Sequence, residues 1–124
     1  MESITALFRR LVGGGRAAPA EERQDPVVRY RAILAERPQD PQAHFELGSL
    51  YYVQKQLAEA ARELEEAITL QPDFADAHYM LGLVYARQGL VEKAAQEFET
   101  TLKTSTNKMM QDYARNKLQT LSKT

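Results

Sequence analysis

Apolar residues recur at spacings of three and four through residues 41–74, a pattern typical of amphipathic helices. One helical face is made of Phe45, Leu47, Leu50, Tyr51 and Val53. A second face is made of Leu57, Ala60, Ala61, Leu64, Ala67, Ile68 and Leu70. The pattern is interrupted around Lys55 and Gln56, so the stretch predicts two helices joined by a short turn.

The same pattern returns with a period of 34 residues. Residues 41–74 align without a gap on residues 75–108, and ten positions are identical. The identical pairs are Ala43/Ala77, His44/His78, Leu47/Leu81, Gly48/Gly82, Tyr51/Tyr85, Gln54/Gln88, Ala60/Ala94, Ala61/Ala95, Glu63/Glu97 and Glu65/Glu99. A fixed period of this length is typical of a solenoid, in which each unit buries its apolar face by stacking on the next.

Several helix ends are also visible in the sequence. Asp25 and Asp40 each precede a proline, and an acidic cap followed by proline at the first helical position is a common helix start. Asn107 can cap a last helix that continues to about Leu121. In the second copy the turn between the two helices falls at Gly89, because glycine readily takes the left-handed conformation that ends a helix.

The residues Leu47, Gly48, Tyr51, Ala60 and Leu64, together with the later members of the same pattern, resemble the tetratricopeptide repeat. Those later members are Ala67 and Pro72 in the first copy and Leu81, Gly82, Tyr85, Ala94 and Phe98 in the second. The resemblance implies an all-α helical-hairpin solenoid over residues 25–124. We expect a half repeat at 25–37, full repeats at 41–74 and 75–108, and a capping helix at 109–121.

The repeat pattern stops before residue 25. Ile4, Leu7, Phe8 and Leu11 follow a helical spacing, so residues 1–12 predict a separate short amphipathic helix. Residues 13–24 contain three consecutive glycines and predict a flexible linker with a reach of about 20 Å. This helix has three open interpretations: it lies on a membrane surface, it docks into a partner or into this protein's own repeats, or it is a frayed tail.

Composition narrows the possible chemistry. The net charge of -1 does not favour a nucleic-acid partner, and the absence of cysteine excludes disulfides and thiolate metal sites. No apolar run reaches transmembrane length, so we expect a cytoplasmic protein, in contact with a membrane surface if residues 1–12 bind one.

No catalytic, cofactor or metal site is predicted. His44 and His78 share one repeat position without further ligands nearby in sequence, so we interpret them as packing residues with a polar tip. The acidic run Glu59, Glu63, Glu65 and Glu66 is interpreted as a solvated helix face. We therefore expect a protein that is not an enzyme.

In the tetratricopeptide family the first helix of each repeat lines a concave groove. By resemblance, the positions that line it here define a groove surface. They are Gln42, Phe45, Ser49, Tyr52, Val53, Asp76, Tyr79, Met80, Leu83, Arg87, Met110, Tyr113 and Lys117. Phe45, Tyr79 and Tyr113 form a predicted aromatic row, which indicates a trough for an amphipathic helix or an extended apolar peptide. The other interpretation is that part of this row is packing between neighbouring helices.

One family ligand is disfavoured. Family members that bind the C-terminal carboxylate of heat-shock chaperones use Lys and Asn at groove positions held here by Phe45, Ser49 and Met80. The resemblance thus implies an adaptor or assembly factor for a protein or peptide partner of another kind. The alternative is an accessory subunit of a membrane-associated complex, held by residues 1–12. A homo-oligomer formed through that helix is also open.

Overall fold

The computed structural model describes residues 25–123, which form six α-helices and no strand. The helices are α1 (Pro26–Glu36), α2 (Pro41–Val53), α3 (Leu57–Leu70), α4 (Ala75–Arg87), α5 (Val91–Thr104) and α6 (Lys108–Ser122). Each helix packs mainly on its neighbours along the chain, and α2 also contacts α4. The predicted all-α solenoid is confirmed. The amphipathic helix predicted at residues 1–12 and the linker predicted at 13–24 lie outside the described residues.

Three helices begin with the side-chain caps that the sequence indicates. Asp25 accepts a hydrogen bond from the Val27 amide at 3.0 Å, Asp40 from the Ala43 amide at 3.2 Å, and Asn107 from the Met110 amide at 3.1 Å. Each bond satisfies an amide that the helix itself cannot pair.

The two hairpin turns have the same hydrogen-bond pattern. In the first, the Gln56 amide donates to the Tyr51 carbonyl at 2.9 Å, and Lys55 takes a left-handed φ of 65°. In the second, the Leu90 amide donates to the Tyr85 carbonyl at 2.9 Å, and Gly89 has φ 79°. This is the Schellman ending of a helix, in which a glycine normally occupies the left-handed position. Lys55 therefore adopts a conformation that is unfavourable for a side chain with a Cβ.

Two glycines allow the helices of each hairpin to approach closely. A Cβ added to Gly48 would lie 2.7 Å from Cγ of Leu64, and one added to Gly82 would lie 2.6 Å from Cε1 of Phe98. Leu64 and Phe98 are fully buried. The core of the array therefore lies between the two helices of each hairpin, at the positions that recur with the repeat.

The last helix has a different surface on the side where a hairpin partner would pack. Asn116 occupies on α6 the repeat position that Gly48 and Gly82 occupy on α2 and α4, and Gln119 occupies the position of Tyr51 and Tyr85. Both α6 residues are exposed, whereas the two glycines and two tyrosines are buried. The polar face of α6 thus terminates the packed series of helices.

Candidate functional site

The predicted groove surface lies on α2, α4 and α6, the first helix of each hairpin and the capping helix. None of its residues is fully buried. The exposed members are Gln42, Val53, Asp76, Arg87, Tyr113 and Lys117. The half-buried members are Phe45, Ser49, Tyr52, Tyr79, Met80, Leu83 and Met110. Because buried positions such as Leu47, Leu81 and Ala114 lie on these same helices, each of the three presents one face to the core and another outward.

The predicted aromatic row is only partly continuous. The rings of Tyr79 and Tyr113 lie 6.4 Å apart between centroids, so these two members of the row are neighbours. Tyr79 also packs on the buried ring of Phe98 at 5.6 Å. Phe45 packs instead on Phe74, with centroids 5.1 Å apart. Part of the row therefore contributes to the core, as one of the two interpretations from sequence stated.

Phe74 is a contributor that the sequence did not single out. It is buried and lies at the residue before α4, where its ring fills the space beside Phe45. Its burial could have been predicted from its position directly after the Pro72-Asp73 turn, because the chain must turn back toward the core at that point.

A small pocket opens at the end of the groove surface formed by the last turns of α2, α4 and α6. Its volume is 290 Å³, and its lining residues are Tyr52, Leu83, Ala86, Arg87, Phe98, Lys117, Thr120 and Leu121. Four of these residues were predicted as groove positions, and Ala86, Phe98, Thr120 and Leu121 complete the lining. The guanidinium carbon of Arg87 lies 4.9 Å from the ring centroid of Tyr52, within the range of a cation–π interaction.

The phenol of Tyr79, in the middle of the groove surface, remains neutral near pH 7. Burial raises the pKa of the Tyr79 phenol, and the nearby phenols of Tyr113 and Tyr52 raise it further. The oxygen of Ser49 is buried and has no hydrogen-bond partner among residues 25–123. On α2 and α4 the middle of the surface is therefore apolar with neutral polar groups, and its formal charges, Asp76 and Arg87, lie at the two ends of α4.

The two histidines lie away from the groove surface and are not simple packing residues. Nδ1 of His44 lies 2.8 Å from a carboxylate oxygen of Glu63, and Nε2 lies 2.8 Å from the Pro38 carbonyl. His78 repeats this arrangement with Glu97 at 2.7 Å and the Pro72 carbonyl at 2.8 Å. A carboxylate and a carbonyl only accept hydrogen bonds, so the ring donates both bonds at once when both of its nitrogens are protonated and the ring carries a positive charge.

Each of these bridges connects the first helix of a repeat to the second helix and to the preceding turn. Burial is the largest single influence on His44 and lowers its pKa, but the hydrogen bonds to Glu63 and Pro38 and the negative charges of Glu63 and Glu66 together outweigh burial and raise the pKa above its ordinary value. The hydrogen bond to Glu97 raises the pKa of His78, against a smaller lowering by burial. The interpretation of the acidic run as a solvated face is accordingly wrong for Glu63.

Glu65 is exposed, as the interpretation of a solvated face requires, and it also accepts a 2.6 Å hydrogen bond from the Tyr85 hydroxyl. Burial first, and then this hydrogen bond, raise the pKa of Tyr85. One repeat earlier the equivalent tyrosine hydroxyl accepts a hydrogen bond, because Arg31 donates to the Tyr51 hydroxyl at 2.6 Å. A polar contact at this position thus joins the second helix of one repeat to the first helix of the next.

Residues 25–123 contain neither a metal-binding cluster nor a membrane-spanning helix. No group of three or more His, Cys, Asp or Glu side chains is arranged to hold a metal ion there. In the same range, no helix combines the length and apolarity needed to cross a bilayer.

Two family models match the chain over the hairpins described above. Residues 48–89 match a model described as TPR repeat, and residues 75–107 match one described as Tetratricopeptide repeat. The chain is a tetratricopeptide repeat protein. Repeats of this family are protein–protein interaction modules, whose stacked helices form extended concave binding surfaces. No curated protein sequence matches the chain.

Solved structures resemble this tetratricopeptide array at low sequence identity. The first TPR domain of Spaghetti (RPAP3), bound to the HSP90 peptide SRMEEVD, is 22% identical with a TM-score of 0.73, over 78% of this chain and 75% of that one. The Sgt2 TPR domain from Aspergillus fumigatus is 21% identical with a TM-score of 0.71, and the match covers 90% of this chain and 74% of that one. MamA is 23% identical with a TM-score of 0.63, and the match covers 78% of this chain and 65% of that one. At these identities the likeness establishes the shared fold.

Proposed function

We propose that this protein is a non-catalytic adaptor or assembly factor, and that its groove surface binds an apolar helix or an extended peptide of a partner protein. The observation that supports the proposal is the exposure of apolar side chains on this surface. Val53 on α2 is 75% exposed and Tyr113 on α6 is 50% exposed, with half-buried Tyr52, Tyr79 and Leu83 between them. Contiguous exposed apolar side chains commonly mark an interaction site.

The similar structures support the kind of ligand but not its identity. The Spaghetti domain holds a peptide, which indicates that a tetratricopeptide array of comparable size is large enough to receive one. Phe45, Ser49 and Met80 occupy the positions where chaperone-binding relatives are expected to carry Lys and Asn. We therefore propose a partner segment recognised by apolar contact, and not a chaperone C-terminus.

The test begins with the full chain and a phage-displayed library of random peptides of about 12–16 residues, long enough for three to four helical turns. Selected peptides are then measured by fluorescence anisotropy against a groove variant, Val53→Glu with Tyr113→Ser. These two positions are chosen because they are the most exposed apolar members of the groove surface. Phe45 and Tyr79 are unsuitable, because their rings pack on buried Phe74 and Phe98 and their removal would also reduce stability.

A matched control introduces the same residue types elsewhere. Val28→Glu with Leu90→Ser changes two exposed apolar residues, 48% and 41% exposed, that lie outside the groove surface. We expect the groove variant to lose most peptide binding and the control variant to keep it, with equal helicity by circular dichroism. Equal binding by both folded variants would mean that the peptides bind elsewhere and that the proposal is wrong.

The accessory-subunit alternative depends on residues 1–12, which lie outside the described residues. Substituting Leu7→Asp and Phe8→Asp in the full chain separates the two functions. If this variant still binds the selected peptides but no longer associates with membranes or with a membrane complex in cell fractionation, the alternative is favoured. Unchanged fractionation together with intact peptide binding favours the adaptor.

A further inference from the structure

The pocket at the end of the groove surface has an unbalanced charge. Its lining combines the apolar residues Leu83, Ala86 and Phe98 with two cations, Arg87 and Lys117. Among residues 25–123, none of those that line it carries a carboxylate. Within residues 25–123 neither cation forms an ion pair, although other charged side chains, such as Arg115 with Asp112, are paired. Two unpaired cations beside an apolar pocket favour a ligand that supplies a negative charge.

The position of Arg87 also suits carboxylate recognition. Its guanidinium lies over the ring of Tyr52, which holds the group at the pocket without using the N–H donors at its edge. Those donors match the two oxygens of a carboxylate, and arginine commonly binds carboxylates through two parallel hydrogen bonds. Lys117 approaches the same pocket from α6 and adds a second positive charge.

The opposite end of the same helix is acidic. Asp76 and Arg87 are both exposed members of the groove surface and lie eleven residues apart on α4, a separation of about 16 Å at 1.5 Å per residue. A bound segment therefore meets a carboxylate at one end of α4, neutral apolar groups along its middle, and two cations at the other end. This order distinguishes the two possible directions of a ligand.

We infer that the partner segment carries an acidic side chain next to a large apolar one, with the apolar group in the pocket and the carboxylate paired with Arg87 and Lys117. The inference rests on the proposed function. The pocket volume of 290 Å³ lies at the lower limit for small-molecule sites, about 300–1,000 Å³, and so suits one large side chain. Residues 1–12 of this chain are a poorer match, because their single acid, Glu2, is outnumbered by Arg9 and Arg10 and lies away from Leu7, Phe8 and Leu11 in sequence.

The test uses peptides selected by the full chain, each synthesised as a pair in which the acidic residue is retained or replaced by its amide. Affinities are measured with the wild-type chain and with Arg87→Gln and Lys117→Gln. Lys103→Gln serves as the matched control, because Lys103 is exposed on α5 and does not line the pocket. We expect selected peptides to be enriched in an acidic residue beside a large apolar residue.

We expect amide replacement in the peptide, or either pocket substitution, to weaken binding up to about fivefold at low salt, the range of partly exposed ion pairs. On a chain that carries both Arg87→Gln and Lys117→Gln, the amide peptide should bind no more weakly than the acidic peptide, and the Lys103→Gln control should bind as wild type. If peptides lose binding to the Val53 and Tyr113 variant but are indifferent to all three charge changes, the charge inference is wrong and the groove function stands. If no peptide depends on Val53 and Tyr113, the proposed function itself fails.

Discussion

The protonated histidine bridges predict that the stability of the array depends on pH near neutrality. We consider His78→Ala, which removes the hydrogen bonds to Glu97 at 2.7 Å and to the Pro72 carbonyl at 2.8 Å. A hydrogen bond to a charged group contributes about 1.5–3 kcal/mol. The side chain of Glu97 is 21% exposed and can regain water, so the lower value applies to each bond. Together they give a loss of about 3 kcal/mol in the free energy of unfolding near pH 6.

A loss of this size is large for a domain of about 100 residues. Each kcal/mol shifts Tm by about 4–8 °C in this size range, so His78→Ala should lower Tm by about 12–24 °C at pH 6. The measurement is urea unfolding at several pH values, followed by circular dichroism at 222 nm, with a thermal scan at each pH.

The sign of the pH dependence follows from the raised pKa. Because the pKa of His78 is higher in the folded than in the unfolded chain, its stabilisation is complete below about pH 6.5 and decreases as pH rises through the folded-state pKa. His44 acts in the same direction, with Glu63 and Glu66 on α3 as the carboxylates that face it. Wild-type stability should therefore fall between about pH 6.5 and 9, a range in which Asp and Glu remain ionised.

A second variant separates charge from shape. Glu97→Gln keeps an oxygen that can accept the Nδ1–H bond but removes the negative charge, so the pKa of His78 should move back toward its ordinary value. This variant should lose part of the pH dependence while keeping most of its stability at pH 9. A wild-type unfolding free energy that stays constant or rises from pH 6.5 to 9 would refute the protonated bridge.

Three further substitutions test the local geometry of the helices. Lys55→Gly should raise Tm by a few degrees. The left-handed backbone conformation costs a residue with a Cβ about 1–2 kcal/mol, which exceeds the conformational entropy that glycine loses on folding, about 0.5–1 kcal/mol. A lower Tm in thermal scans would contradict this prediction. Gly82→Ala should destabilise the array, because overpacking against Phe98 costs about 1–3 kcal/mol or more and exceeds the gain of about 1 kcal/mol in helix propensity. A urea unfolding midpoint at or above that of the wild type would contradict this prediction and show that the hairpin can adjust. Asp40→Ala should cost about 1 kcal/mol in urea unfolding, since it removes the cap of α2, and an unchanged midpoint would show that water replaces the cap.

The fold was accessible from the sequence because its determinants are local and recur with the period. Asp25, Asp40 and Asn107 act within three residues of themselves, and Gly89 ends a helix by its own backbone conformation. Lys55 shows the limit of that reasoning. It adopts the same left-handed conformation without being glycine, because the hydrogen bonds of the hairpin turn outweigh the local preference.

The contacts between helices were less accessible. His44 and Glu63 recur at 34 residues as His78 and Glu97, so a signal for the bridge was present. The second hydrogen-bond partner of each histidine, however, is a main-chain carbonyl in the preceding turn, and residue types do not reveal where that carbonyl points. The break in the aromatic row was also not visible in the sequence. Phe45 packs on Phe74, and the direction of the Phe74 ring depends on how the chain enters α4.

The polar face of α6 has a consequence for assembly. A helix packed there as α5 packs on α4 would bring a large side chain against Asn116, at the position where Gly82 leaves only enough room for the ring of Phe98. It would also bury Gln119 and Asn116 in place of the tyrosine and glycine found in the complete repeats. These polar residues therefore disfavour end-to-end joining of copies of the chain through α6 into a longer superhelix. Avidity for a multivalent partner would then come from contacts made on other surfaces of the chain.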